Sequence, residues 1–132
     1  CPNIHALGFI SVSGDRFYEI TRKCAYVIMP SASEGSMPGG VVTCMHRGLI
    51  PVVSKECIDD VEDWGFQFKD IDLESVDEMV MCLARKDPNF IKKRAENAYY
   101  KANKDFTRQT FTYDMENAIR EILNGKVIAS QN

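Results

Sequence analysis

The sequence predicts an α/β domain with a mostly parallel sheet and helices packed around it. Strand-like runs alternate along the chain with segments of helical periodicity, the pattern of βαβ units. Two of the runs, Ala25-Tyr26-Val27-Ile28-Met29 and Ile50-Pro51-Val52-Val53, are continuously apolar, as parallel strands buried on both faces are. Residue types that stop regular structure, Pro30 and Gly48 among them, sit at the ends of these segments.

Taken in order, Ile4 to Ile10 reads as a short strand closed by the turn-forming cluster Ser11 to Gly14. From Arg16 to Cys24, Phe17, Ile20, Thr21 and Cys24 recur at helical spacing. A strand over 25–29 then stops at Pro30, and a loop rich in glycine leads into a short helix from Val41 to Arg47 that ends at Gly48. The strand at 50–53 tolerates its proline only near its start. Phe66-Gln67-Phe68 reads as a further short strand. Asp72 is the N-cap of a helix whose Val76, Met79, Val80 and Leu83 share one face, broken at Asp87-Pro88. Pro88 opens another helix, to about Lys104, with Phe90, Ile91, Arg94, Ala95, Ala98 and Ala102 in register. The last helix, from about Thr107 to Leu123, sets Phe111, Met115, Ala118, Ile119 and Ile122 on one stripe, and a frayed tail is expected after Gly125. There is no internal repeat.

Composition narrows the classes of function. The 132 residues are 45% hydrophobic and 27% charged, which suits one ordinary domain. Sixteen Lys and Arg against 19 Asp and Glu give a net charge of -3, with the cations scattered. That argues against a nucleic-acid partner, whose phosphate backbone needs clustered positive charge. No apolar run approaches the roughly 18 residues of a membrane span. The five cysteines are far apart and lack a C-x-x-C pair, so they are expected to be small buried hydrophobes kept reduced in a cytosol. Cys1-Pro2-Asn3 does not read as a signal peptide, and the chain is expected to begin inside a larger protein.

In a parallel sheet ligands bind beyond the carboxyl ends of the strands, so the loops after Ile10, Met29 and Val53 are the ones to search. The loop after Met29, Pro30-Ser31-Ala32-Ser33-Glu34-Gly35-Ser36-Met37-Pro38-Gly39-Gly40, is the informative one. Its small residues allow close approach to the backbone, and the amides opening the next helix can receive a phosphate. Glu34, repelled by phosphate, would instead accept hydrogen bonds from sugar hydroxyls. A tight turn with a solvated Glu34 fits the same residues, and the loop alone leaves both readings open.

Pro30-Ser31-Ala32-Ser33-Glu34-Gly35, followed by Pro38, Val41-Val42, Met45, Gly48 and Pro51-Val52-Val53-Ser54, resembles the C-terminal domain of the group 1 family of retaining glycosyltransferases with the GT-B fold. Leu7-Gly8-Phe9, Asp87-Pro88 and Phe106 extend the similarity over nearly the whole chain. The resemblance implies a Rossmann-like sheet, with residues 1–125 a partial nucleotide-sugar-binding domain that starts at its third strand and 126–132 a tail. The first two βα units, their Arg/Lys pair for the diphosphate and the whole N-terminal domain would lie upstream. This piece alone would then be inactive, and Ile4 to Ile10 would pair abnormally with Tyr26–Met29 or stand off the sheet.

By the same resemblance the substrate is a nucleotide diphosphate sugar, with no metal or other cofactor, and the acceptor is a glycan or a lipid-linked molecule. Glu34 is the catalytic candidate, orienting the donor sugar. Ser33, Gly35, Ser36, Met37, Pro38, Gly39, Gly40, Val41 and Thr43 are the donor-binding candidates. The family carries a second glutamate for the ribose; here Thr43 occupies that place, after one extra loop residue, and binds a hydroxyl more weakly than a carboxylate would. Relatives acting at membranes make Lys92-Lys93-Arg94, Lys101 and Lys104 candidates for anionic lipid, with cytoplasmic location and peripheral contact implied. A solvated helix face is the stronger expectation for these cations. His5 and His46 read as structural, His46 serving its helix C-terminus, and Trp64, Tyr99 and Tyr100 read as packing residues rather than a lid. A non-catalytic GT-B-like binding or scaffolding module is the alternative. A receiver-type signalling domain shares the pattern but needs acidic residues after its first strand, where Ser11-Val12-Ser13-Gly14 has none.

Overall fold

A computed structural model describes residues 2–124; Cys1 and the tail from Gly125 lie outside the described residues. The elements are α1 (Asp15–Thr21), β1 (Tyr26–Met29), α2 (Gly39–Met45), β2 (Ile50–Val53), β3 (Phe66–Gln67), α3 (Leu73–Ala84), α4 (Pro88–Asp105) and α5 (Arg108–Leu123). The fold is α/β, as the alternation predicts. Its sheet has three strands in the order β1-β2-β3, all parallel.

Register explains the central strand's composition. Tyr26 pairs with Ile50 and Met29 with Val53 on one side, while Val52 pairs with Phe66 on the other. Pro51 sits in a central strand, where a missing N–H would usually break a ladder. Because Ile50 donates its N–H to Ala25 on the β1 side, the next nitrogen faces β3, and β3 begins only opposite Val52. Pro51 therefore interrupts no strand pairing. Gly65, just before β3, is needed for close approach: a Cβ there would stand 3.0 Å from the Pro51 carbonyl oxygen and from Val61 Cβ.

The two faces of β2 feed two apolar clusters. Val53 packs with Val41 and Met45 of α2, Ala98 and Ala102 of α4, and Trp64. Val52, one residue earlier and on the opposite face, packs with Phe68 and with Leu83 of α3. The helix signals work as read. Asp72 accepts from the Ser75 amide, Asp87 from the Asn89 and Phe90 amides with Pro88 in the first turn, and Thr107 from the Thr110 amide. Gly48, at φ 85°, turns the chain from α2 into β2.

Several expectations are corrected. Residues 4–10 form no strand: the segment stands off the sheet, Gly8 takes the left-handed φ of 67°, and Phe9 is 95% exposed. An extended run with no neighbouring strand leaves its peptide groups to water, so periodicity alone could not hold it. Burial on both faces applies to β2, whose four residues are all buried, but not to the edge strand β1, where Ile28 is exposed. The stripe of α5 is not core: the helix has no buried residue, and Phe111, Met115, Ile119 and Ile122 are exposed.

Cysteine burial is likewise mixed. Cys57 is buried and Cys44 half-buried, yet Cys24 and Cys82 are exposed; all four are free thiols. Burial, and then the neighbouring Cys24, push the Cys44 thiol above its ordinary pKa. Among the described residues no helix is long and apolar enough to cross a membrane.

Candidate functional site

The loop after β1 lies at the carboxyl ends of the strands, where a parallel sheet offers its ligand crevice. One hydroxyl ties it to the end of the next strand. Ser54, directly after β2, is buried; its Oγ donates to the Ser31 carbonyl oxygen at 2.5 Å and accepts from the Ser31 amide at 3.1 Å. Ser31 Oγ donates in turn to Glu34 Oε1 at 3.1 Å. Glu34 is half-buried and hydrogen-bonded rather than a freely solvated turn residue.

The glycines that follow are not there to make a tight turn. Gly35, Gly39 and Gly40 are absent from the positive-φ residues, and a Cβ on any of them would meet nothing within 4 Å. The protein itself does not require glycine at these places. Gly35, Ser36 and Met37 instead form one wall of a groove of about 320 Å³ whose other wall includes Lys55, Glu56 and Ile58. Ala32 borders a second crevice of about 210 Å³ with Lys55, Lys69 and Asp70. Ser33 is exposed.

At the start of α2, Pro38 is the N-cap and supplies no side-chain hydrogen bond. The Val42 amide is bonded to the Pro38 carbonyl, so the Gly39, Gly40 and Val41 amides precede the helical ladder. Val41 offers only that backbone group, because its side chain is buried in the core, and Met37 also packs against the core. Thr43 donates its hydroxyl to the Gly39 carbonyl at 2.8 Å, which leaves its oxygen able only to accept a further hydrogen bond.

No protein-family model, curated protein or solved structure matches this chain.

Outside this corner the singled-out residues have structural places. His46 caps α2, and its Nε2 lies 3.1 Å from the Phe106 carbonyl oxygen, joining α2 to the end of α4. His5 is exposed on the segment before α1. Trp64 is a core residue, whereas Tyr99 and Tyr100 are exposed. Arg94 leaves the cationic cluster: its guanidinium lies over the Phe66 and Phe90 rings and donates to the Gly65 and Glu62 carbonyls, while Lys92 and Lys93 are exposed. Among the described residues no group of three or more His, Cys, Asp or Glu could hold a metal ion. A concavity of about 640 Å³ is lined by α5 and its N-cap Thr107, with no strand-end residue in its wall.

Two participants carry no assigned role in the sequence reading: Ser54 enters it only within the Pro51-Val52-Val53-Ser54 pattern, and Lys55 is not singled out, although the loop after Val53 is one of those to search. The signal for both was their position immediately after a strand's carboxyl end. Lys55 borders both crevices and brings a cation to the loop's edge.

Proposed function

We propose that this chain is the donor-binding part of a retaining glycosyltransferase of the GT-B type, acting on a nucleotide diphosphate sugar. The observation that carries the reading is the tethered, half-buried Glu34 at the carboxyl end of β1, followed by glycines that the fold does not itself require. With Oε1 engaged by Ser31, Oε2 can accept from hydroxyls of the donor sugar.

On this reading the bond between the anomeric carbon and the diphosphate breaks, the acceptor hydroxyl oxygen bonds to that carbon on the same face of the sugar, and the hydroxyl's proton passes to the departing diphosphate. Negative charge grows on the departing diphosphate, where hydrogen-bond donors and cations stabilise it most effectively if they are already oriented. The amides of Gly39, Gly40 and Val41 supply donors, and Lys55 a cation. Cations and the acceptor pocket from an upstream region complete the site.

Glu34→Ala in the full-length protein tests the assignment, using UDP- and GDP-sugars as donors at limiting concentration. Loss of a charge-assisted hydrogen bond of about 1.5–3 kcal/mol lowers transfer roughly ten- to a hundredfold. The far-UV circular dichroism should be unchanged, because the loop carboxylate carries little packing. An unchanged transfer rate would favour the non-catalytic binding module.

A further inference from the structure

We propose that Ser54 is a positioning residue for Glu34: it locks Ser31, and Ser31 holds the carboxylate. The inference rests on the donor-site reading of Glu34. Ser54 is only 1% exposed, and its hydroxyl engages both backbone polar groups of a single residue, Ser31, in the loop of the neighbouring strand. Cys57 Sγ, at 3.7 Å, adds a third contact, so the hydroxyl can donate once and accept twice.

The clamp is not required to pair the strands. Met29 and Val53 close the β1–β2 register before it. What the hydroxyl adds is a fixed distance between the buried end of β2 and the first turn of the loop. Ser31 Oγ transmits that placement three residues on to Glu34 Oε1. A glutamate has several rotatable bonds, and leaving them free in the resting site would have to be reversed each time a donor binds. Holding one oxygen in advance leaves the other aimed and available.

The test combines two substitutions, Ser54→Ala and Ser31→Ala, with and without Glu34→Ala, in the full-length protein. Each single substitution should lower kcat/KM roughly three- to tenfold, the usual consequence of losing one net hydrogen bond, for whichever of UDP-glucose and GDP-mannose is turned over. In the Glu34→Ala background both should be silent, because the route to the sugar has already been cut. An equal loss in both backgrounds would show an effect through the fold and overturn the inference. Carboxyl-detected NMR supplies a readout independent of activity. Ser54→Ala should shift the Glu34 side-chain carboxyl resonance and accelerate exchange of the Ser31 amide; if neither changes, the clamp does not exist. If both change while Glu34→Ala leaves transfer intact, the clamp stands and the donor-site reading falls. Ser54→Cys, close to serine in volume but with only a weak donor and acceptor in place of the hydroxyl, keeps the test decisive if Ser54→Ala fails to fold.

Discussion

Replacing Arg94 by alanine should cost far more than replacing a surface cation. The guanidinium carbon lies 4.6 Å from the centre of the Phe66 ring and 5.0 Å from that of Phe90, inside the range of cation–π attraction. Nη1 also donates to the Gly65 carbonyl and, at 3.3 Å, to that of Glu62. Arg94 thereby fastens α4 to the start of β3. A half-buried stacking contact is worth about 1 kcal/mol, and a hydrogen bond from a charged donor about 1.5–3 kcal/mol. Arg94→Ala is therefore expected to destabilise the protein by about 2–4 kcal/mol, a large share of the 5–15 kcal/mol typical of a domain.

Urea unfolding followed by circular dichroism measures this directly. With a slope of about 2 kcal/mol per molar urea, the midpoint should fall by roughly 1–2 M. Arg94→Lys is the discriminating companion. It retains charge but not the planar fork that stacks and donates at once, so about half of the loss should remain. Arg94→Ala within about 0.5 kcal/mol of the parent would refute the reasoning, since ordinary surface substitutions fall in that range. Arg94→Lys equal to the parent would show that charge alone suffices and that the stacking geometry contributes nothing.

Gly65→Ala should destabilise by about 1–3 kcal/mol in the same titration, because the added methyl meets the Pro51 carbonyl and Val61 at 3.0 Å and neither is the free end of a flexible chain. Asp72 predicts an acid-dependent effect: the Ser75 amide, and then the Ser75 side chain, hold its carboxyl below the usual aspartate range. Its folded pKa lies below its unfolded one, so its stabilisation is present above the unfolded value and disappears as pH falls through the folded value. Asp72→Ala should consequently lose stability relative to the parent near neutral pH, and the gap should close below about pH 4 in thermal melts recorded across pH.

Those elements were legible where a signal was local. Asp72, Asp87-Pro88 and Thr107 mark their helices by hydrogen bonds made within three residues, and β1 and β2 announce themselves as apolar runs between stops. Ile4 to Ile10 misled because a strand depends on a neighbour, which no run of seven residues encodes. The stripe on α5 misled similarly: spacing identifies an apolar face but not what covers it. Glu34 and the glycines stood out from their residue types. Ser54 did not, because its partner is 23 residues away and meets it only through the pairing of Met29 with Val53. Arg94 read as part of a basic cluster because stacking on Phe66 is a property of tertiary structure.

The placement of Trp64 gives the molecule a built-in optical reporter. It is the chain's single tryptophan, 3% exposed, in the cluster shared by α2, β2 and α4, and its indole N–H finds no hydrogen-bond partner among the described residues. Emission should be blue-shifted in the native state and move to longer wavelength when that cluster admits water. The fluorophore is remote in packing terms from α3, which belongs to the opposite cluster, and from α5, which has no buried residue. Fraying of α5 would therefore lower helicity while leaving the tryptophan signal dark to the event, so the two spectroscopies together separate melting at the periphery from opening of the α2–β2–α4 core.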